Sequence, residues 1–136
     1  MDAAADITGH CLCGGVTFRV TGRPRDVHHC HCSMCRRATG AAFATLVWVR
    51  RTDVSWQGEP ARYRASAIAT RGFCSRCGTS LFLDYDGNEQ LALLLGALDH
   101  PERLVPTHHY GIESKLSWVD REQDLPGKPT DLIPQP

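Results

Sequence analysis

The chain has 136 residues, of which 42% are hydrophobic, so its size suits one domain with a modest core. Fifteen Lys and Arg residues balance fifteen Asp and Glu residues, and this zero net charge argues against nucleic-acid and membrane partners. The longest apolar run, residues 91–98, is too short to span a bilayer, and residues 1–8 lack the pattern of a signal peptide. We therefore expect a cytoplasmic protein with reduced cysteines.

The first half of the chain predicts short strands around one helical segment. Residues 1–9 are small and polar, and we expect them to be loose. Strands or extended segments are predicted at residues 16–21, 27–32, 43–49 and 54–56. Between them, residues 33–39 favour one or two helical turns, with Ser33 as the N-cap and Gly40 as the stop.

The second half predicts further strands and a proline-rich tail. The predicted strands are residues 62–64, 68–73, 81–85, 91–98 and 108–110. Asp86-Gly87-Asn88 is a hairpin signal, which favours a strand over a helix for the apolar run that follows it. Residues 112–118 predict a short strand or an irregular segment, and the tail from Pro126 predicts a weakly ordered extension. These patterns together predict a single, mainly β domain over residues 1–136.

All seven cysteines fall into three closely spaced clusters. The clusters are Cys11-Leu12-Cys13, Cys30-His31-Cys32-Ser33-Met34-Cys35 and Cys74-Ser75-Arg76-Cys77. Seven is an odd number, which suits a set of disulfides poorly, and reduced thiols at such spacing are typical of metal ligands or catalytic groups. We interpret them as four thiolates for a closed metal site and three for an open one.

The closed site consists of two pairs. Its predicted ligands are Cys11, Cys13, Cys74 and Cys77, since zinc takes four tetrahedral ligands and accepts thiolates. The 60 residues between Cys13 and Cys74 form a loop that this metal would close, and we expect that closure to stabilise the fold. The alternatives are buried free cysteines, or a redox role for the second pair, which leaves the first pair unexplained.

The open site is the C-x-C-x-x-C segment with Cys30, Cys32 and Cys35. Catalytic zinc sites typically have three protein ligands and one exchangeable position. Three thiolates on a divalent ion leave a net charge near −1, which favours holding an incoming thiolate over activating water. Chemistry at a substrate sulfur is therefore the natural inference.

Two other arrangements of these ligands remain open on spacing alone. A histidine could close the three-cysteine site as a fourth ligand. The candidates are His28, His29, His31, His108 and His109. Alternatively, Cys30 and Cys32 could share a metal with Cys74 and Cys77. Arg36 and Arg37 follow the cluster directly and could offset its negative charge, bind a substrate carboxylate, or simply be solvated.

These motifs resemble those of a known family. The matching segments are Gly9-His10-Cys11-Leu12-Cys13-Gly14-Gly15-Val16, Cys30-His31-Cys32-Ser33-Met34-Cys35-Arg36-Arg37, Gly40, Tyr63-Arg64, Arg71-Gly72-Phe73-Cys74-Ser75-Arg76-Cys77-Gly78-Thr79, Gly96-Ala97-Leu98-Asp99, His108 and Ile112-Glu113-Ser114-Lys115-Leu116-Ser117-Trp118. Over residues 9–126, the chain is similar to the glutathione-dependent formaldehyde-activating enzyme (GFA) family, also called the CENP-V/GFA domain.

The resemblance implies a fold, two metals and a reaction. The fold would be a zinc-binding β-tent, Mss-four-like, made of small antiparallel sheets with short helical turns. One zinc would be structural, on Cys11, Cys13, Cys74 and Cys77, and a second, on Cys30, Cys32 and Cys35, would be catalytic. The namesake enzyme joins glutathione and formaldehyde in S-hydroxymethylglutathione, which is carbon–sulfur lyase chemistry. The resemblance thus implies a small thiol and an aldehyde as substrates.

The chain also departs from the namesake enzyme, because it is shorter and no motif identifies residues that bind the substrate carboxylates. The candidates are Arg36, Arg37, Arg71 and Lys115. An alternative function is a zinc-stabilised binding module with two structural metal sites and no catalysis, and a zinc store or redox sensor is a third. A homodimer would suit exposed strand edges.

Overall fold

The computed structural model describes residues 6–130, whose strands form two sheets. The strands are β1 (Ile7–His10), β2 (Thr17–Val20), β3 (Asp26–Cys30), β4 (Ala44–Arg50), β5 (Val54–Gln57), β6 (Ala61–Arg64), β7 (Ala69–Phe73), β8 (Ser80–Tyr85), β9 (Gln90–Leu94) and β10 (His108–Tyr110). One α-helix, α1 (Ser33–Thr39), lies between β3 and β4. Short 3-10 turns occur at Arg51–Asp53, Leu95–Ala97, Pro101–Arg103, Ile112–Ser114 and Val119–Asp124.

The two sheets differ in size. The small sheet has the order β1-β2-β5, and the large sheet has the order β10-β3-β4-β9-β8-β7-β6. The paired strands are antiparallel except for β10 and β3, which are parallel. The predicted mainly β class is confirmed. The seven-stranded sheet and its parallel pair go beyond the prediction of small antiparallel sheets, because β10 returns to the edge of β3 from far along the chain.

Side chains alternate across a strand, so the large sheet has two faces. One face packs against the small sheet and forms the main core with Phe18 and Val20. From the large sheet, this core takes Val27, Val47, Val49, Phe82, Leu91 and Leu93. Gly72 of β7 lies directly under the ring of Phe82, where a Cβ atom would overlap ring atoms. The glycine is therefore required by the close approach of that ring.

The other face of the large sheet carries a second buried cluster, which we call the Cys30 face. Its buried members are Cys30, Cys35, Ala44, Leu46, Ala69, Leu83, Ala92 and Leu94. Cys32, Trp48 and Tyr85 are partly buried and pack against it. The alternation of β3 places Cys30 on this face, and α1 then brings Cys35 back onto it.

Helix α1 spans the predicted residues 33–39, but its N-cap differs from the prediction. Cys32, not Ser33, is the N-cap, and its Sγ accepts a hydrogen bond from the backbone N–H of Cys35. The prediction of Ser33 as the N-cap was wrong, because Ser33 is already the first residue of the helix. Gly40 ends the helix as predicted, with a φ of +72° that glycine adopts at little cost.

Two strand boundaries also differ from the predictions. The expected loose start contains strand β1, whose residues Ile7 and Gly9 pair with β2. Strand β1 has only four residues, so its alternation of polar and apolar residues is too short to predict a strand. Pairing with β2 stabilises it. The predicted strand 91–98 ends at Leu94 because a 3-10 turn begins there.

The last part of the chain has little regular structure. Residues 112–118 contain a 3-10 turn and no strand. Residues 126–130 lack helix and strand and are exposed, and the rest of the predicted weakly ordered tail lies outside the described residues. Within residues 6–130, no helix has the length and apolar character needed to cross a bilayer.

Candidate metal centres

The four-cysteine cluster lies where two strand connections meet. Cys11 and Cys13 occupy the turn after β1, and Cys74 and Cys77 occupy the connection from β7 to β8. Their four sulfur atoms all lie within 4.8 Å of one another, and Cys13 Sγ is 3.6 Å from Cys11 Sγ and 3.7 Å from Cys74 Sγ. A tetrahedral zinc with bonds of about 2.3 Å to sulfur requires sulfur separations of about 3.8 Å. The cluster therefore fits zinc and connects the small sheet to the large one.

Backbone groups surround the sulfurs of this cluster. The N–H groups of Gly15 and Val16 donate to the sulfurs of Cys13 and Cys11, at 3.4 and 3.2 Å. The N–H groups of Arg76 and Cys77 donate to Cys74 in the same way. Such donors stabilise the thiolate form of each sulfur, which is the form that binds metal.

Thr79 adds a side-chain contact to the four-cysteine cluster. Its Oγ1 lies 3.2 Å from Cys77 Sγ and accepts a hydrogen bond of 2.9 Å from the backbone N–H of Leu12. The hydrogen bond with the Thr79 side chain is the largest cause that lowers the pKa of Cys77 to about 5. Thr79 therefore contacts one cysteine of the four-cysteine cluster and links the turns that carry both cysteine pairs.

The three-cysteine cluster is built from a strand end and one helical turn. Cys30 is the last residue of β3, Cys32 caps α1, and Cys35 lies in the first turn of α1. The sulfurs lie within 4.8 Å of one another, with 3.6 Å between those of Cys30 and Cys32. They supply three of the four ligands that a tetrahedral zinc takes, so the donor set fits an open site.

The structure does not bring together the alternative ligand sets that spacing left open. Among the described residues, the groups with metal-binding geometry contain no histidine beside the three-cysteine cluster. The sulfurs of Cys74 and Cys77 group with Cys11 and Cys13.

Arg71 of β7 is the charged neighbour of the three-cysteine cluster. Its Nη2 donates to Cys35 Sγ at 3.5 Å. The pKa of Cys35 is lowered to about 5, first by the hydrogen bond with Cys30 and then by Arg71, against the opposing effect of burial. The same hydrogen bond with Cys35 raises the pKa of Cys30.

An aromatic pair packs against the buried residues of the Cys30 face, which include Cys30 and Cys35. The rings of Trp48 and Tyr85 are stacked, with centroids 6.1 Å apart and an angle of 8° between their planes. Burial raises the pKa of Tyr85, and the negative charge of Cys35 raises it further. Its hydroxyl group therefore keeps its proton at neutral pH and can donate a hydrogen bond.

The candidate carboxylate-binding residues have different roles in the structure. Arg36 donates to the backbone oxygens of His31 and Ser114, both at 2.6 Å. It therefore links the segment after β10 to the three-cysteine segment. Lys115 pairs with Asp120 at 2.9 Å, and Arg37 is exposed. Of the four predicted residues, only Arg71 contacts a cysteine sulfur of the cluster. Its position was not predictable because 36 residues separate it from Cys35.

Two grooves lie beside the C-terminal end of α1. One, of about 240 Å³, is lined by Tyr63, Arg71 and Phe82 among other residues. The second, of about 500 Å³, is lined by Phe43, Thr79 and other residues, and Ala38 and Thr39 contribute to both linings. The smaller groove gives a small molecule space beside the charged neighbour of the three-cysteine cluster.

Sequence reasoning missed a third group of potential ligands. Asp26, His28 and His108 place one ligand atom each within 4.8 Å of one another. The alternation Asp26-Val27-His28 was a signal for the first two, but the approach of His108 depends on the parallel pairing of β10 with β3.

Comparison with known proteins identifies the family. The model of the family "Glutathione-dependent formaldehyde-activating enzyme" matches residues 6–114. A putative glutathione-dependent formaldehyde-activating enzyme of Halomonas elongata is 31% identical over 147 aligned positions, which cover 93% of this chain and 91% of that protein. An enzyme of the same description from Aspergillus flavus is 27% identical, and the match covers 93% of this chain but 62% of that protein.

Two further proteins are similar over part of the chain. An uncharacterized lyase of Schizosaccharomyces pombe is 30% identical over 77 residues, which are 57% of this chain and 56% of that protein. A crystal structure of a Rhodobacter sphaeroides protein superposes with a TM-score of 0.60 and 26% identity, covering 75% of this chain and 98% of that one. With the family match, the cysteine clusters and the mainly β architecture in agreement, this chain belongs to the glutathione-dependent formaldehyde-activating enzyme family.

Proposed function

We propose that this protein is a zinc-dependent enzyme of the carbon–sulfur lyase type. It would bind a small thiol such as glutathione at the three-cysteine cluster, and form or break the adduct of that thiol with an aldehyde such as formaldehyde. The observation that carries the proposal is a three-thiolate cluster with one cationic neighbour in a chain of this family. The names of the similar proteins point to the same chemistry.

The proposed metal ligands follow the two cysteine groups. Cys30, Cys32 and Cys35 would hold the catalytic zinc, and the structural zinc would be held by Cys11, Cys13, Cys74 and Cys77. When bound at Cys30, Cys32 and Cys35, zinc would act as a Lewis acid that lowers the pKa of a substrate thiol and keeps it as a thiolate. The remaining substrate interactions must come from protein side chains.

Arg71 has the position to balance charge in this reaction. Three thiolates and a substrate thiolate on a divalent ion would carry a net charge of about −2, and the guanidinium that donates to Cys35 offsets part of it. Arg71 also lines the smaller groove, where a substrate carboxylate could pair with it. Arg71 would thus contact both a metal ligand and the substrate.

Tyr85 is the proposed hydrogen-bond donor to the aldehyde oxygen. Adduct formation joins the thiol sulfur to the aldehyde carbon, and the aldehyde oxygen gains a proton in place of the one that the thiol loses. The reverse reaction breaks the carbon–sulfur bond and returns the proton to the thiol. Tyr85 packs against the cluster on the Cys30 face, and its raised pKa keeps the hydroxyl protonated. A hydrogen bond from it to the developing alkoxide would stabilise the transition state.

The test is an exchange measurement at equilibrium, because the thiol and aldehyde also combine without a catalyst. With carbon-13 formaldehyde and glutathione, we expect exchange between free and adduct signals to accelerate in proportion to protein concentration. The Cys32→Ser variant should lose the acceleration, and Tyr85→Phe should reduce it by about 100-fold without losing zinc. Arg37→Met, a change at an exposed position, serves as the matched control.

Full exchange activity in a folded Cys32→Ser variant would contradict the proposal. No acceleration by a wild-type protein that carries both zinc ions would also contradict it, and would favour a zinc-stabilised binding module.

A further inference from the structure

We propose that Asp26, His28 and His108 form a third metal site, for a divalent first-row ion of borderline softness such as Zn²⁺ or Co²⁺. The ligand atoms of the three residues lie within 4.8 Å of one another. Two imidazole nitrogens and a carboxylate oxygen are a donor set that such ions accept, and it differs in kind from the two thiolate clusters.

Strand pairing creates the cluster. Asp26 and His28 are two residues apart on β3, so their side chains emerge on the same side of the large sheet as Cys30. The parallel register of β10 sets His108 opposite His28, and their rings stack with centroids 4.9 Å apart. The three side chains therefore converge at the sheet edge, one alternate position along β3 from the three-cysteine cluster.

The distances are close to those of a metal site. His28 Nδ1 lies 3.2 Å from Asp26 Oδ2, and His108 Nε2 lies 3.9 Å from the same oxygen. Ligand atoms bound at 2.0–2.1 Å around a tetrahedral zinc are separated by about 3.3 Å. The partly exposed His108 ring would have to rotate out of its stack on His28 to bring the longer separation to this value and aim its lone pair at the ion.

Thr107 orients His108 for binding. Its hydroxyl lies 3.3 Å from the backbone oxygen of Val27, to which it can donate, and 2.9 Å from His108 Nδ1, whose N–H it can then accept. With the proton on Nδ1, the Nε2 atom that faces Asp26 has a free lone pair. A hydrogen bond from the second ring nitrogen to a neighbouring oxygen is a regular feature of metal-binding histidines.

The site is accessible, and a proton is the competing occupant. The His28 side chain is buried, whereas those of Asp26 and His108 are 40% and 48% exposed, so an ion can enter from solvent. Without metal, His28 Nδ1–H donates to Asp26 Oδ2. Binding at Nδ1 would place the ring proton on Nε2 and replace the hydrogen bond with two metal–ligand bonds. Water would complete the coordination shell.

The first test is a Co²⁺ titration of the zinc-loaded protein, followed by native mass spectrometry and absorption spectroscopy. We expect one additional cobalt ion per chain without sulfur-to-metal charge-transfer absorption, since its ligands contain no thiolate. His108→Ala should abolish this binding, and the exposed His100→Ala should leave it unchanged. If the wild-type protein takes up no additional ion, or if His108→Ala binds it as tightly, the proposal fails.

Two further variants test whether binding of the third ion depends on the orientation of His108 and whether it is independent of the three-cysteine cluster. Thr107→Val removes the group that orients His108 but no ligand, so we expect the affinity for the third ion to fall by about 10-fold. Cys32→Ser should retain the third ion, because the thiolate cluster contributes no ligand to it. Loss of the additional ion in Cys32→Ser, or equal affinity in Thr107→Val, would overturn the proposed site.

Discussion

The two cysteine clusters differ in what surrounds their sulfurs. In the four-cysteine cluster, the donors to sulfur are mainly backbone N–H groups of two turns, and the cluster joins two sheets. In the three-cysteine cluster, the ligands come from six consecutive residues, and a guanidinium donates to Cys35. The first arrangement fixes non-local structure, whereas the second places a charged, partly open centre on one face of a sheet.

This difference predicts how the loss of metal from each cluster affects stability and activity. A metal that connects distant turns contributes to folding directly, because the unfolded chain rarely holds its four ligands together. A metal that binds six neighbouring residues constrains little beyond that segment. Stability should therefore depend on the four-cysteine cluster, and activity on the three-cysteine cluster.

The largest effect is expected for Cys74→Ser. It removes a buried ligand of the four-cysteine cluster, and structural zinc contributes roughly 10–16 kcal/mol in small domains, as much as the whole stability of a typical domain. We expect the variant to be largely unfolded, as measured by circular dichroism and thermal melting. A cooperative transition within a few degrees of wild type would show that the metal is not structural.

The next effect is the loss of activity in Cys32→Ser with little loss of structure. Serine is a good N-cap, so it can replace the sulfur that accepts from the Cys35 N–H of α1. We expect one zinc ion fewer per chain, an unchanged circular dichroism spectrum and no catalysed exchange. Unfolding of this variant would contradict the contrast between the two clusters.

A smaller effect is expected for Arg71→Met, with a defined dependence on pH. Arg71 lowers the pKa of Cys35, so its removal lets protons compete with zinc up to higher pH. We expect the midpoint of acid-induced zinc release from the three-cysteine cluster to rise by up to about one pH unit. Zinc content after dialysis over a pH series measures it, with Arg37→Met as the control. An unchanged midpoint pH of zinc release in Arg71→Met would show that Arg71 does not affect metal binding.

The smallest effect is expected for Thr79→Val at the four-cysteine cluster. The change removes the hydroxyl beside Cys77 Sγ and the acceptor for the Leu12 N–H, but it leaves all four ligands in place. We expect a loss of about 1–3 kcal/mol in the free energy of unfolding, measured by denaturation with zinc present. Exchange activity should be unchanged. A loss of activity without a loss of stability would reverse the roles of the two clusters.

What the sequence determined was largely local. Spacings of one and two residues keep the three sulfurs of Cys30, Cys32 and Cys35 close together, and likewise the two sulfurs within each pair of the four-cysteine cluster. The alternation in residues 16–21 and 81–85 predicts strands that the structure contains. The helix after Cys32 and its end at Gly40 also followed from nearby residues. These features depend on interactions along a few positions of the chain, so a single sequence contains enough information to find them.

What only the tertiary structure decided depends on pairing between distant segments. Arg71 reaches Cys35 because α1 places Cys35 on the face of the large sheet to which β7 belongs. His108 reaches Asp26 because β10 adds to β3 in parallel. Arg36 was expected to offset the charge of the three-cysteine site, to bind a substrate carboxylate or to be solvated. In the structure it donates to the backbone oxygens of His31 and Ser114. Strand order and register follow from the burial and hydrogen bonding of the whole chain, and local patterns do not specify which distant edges meet.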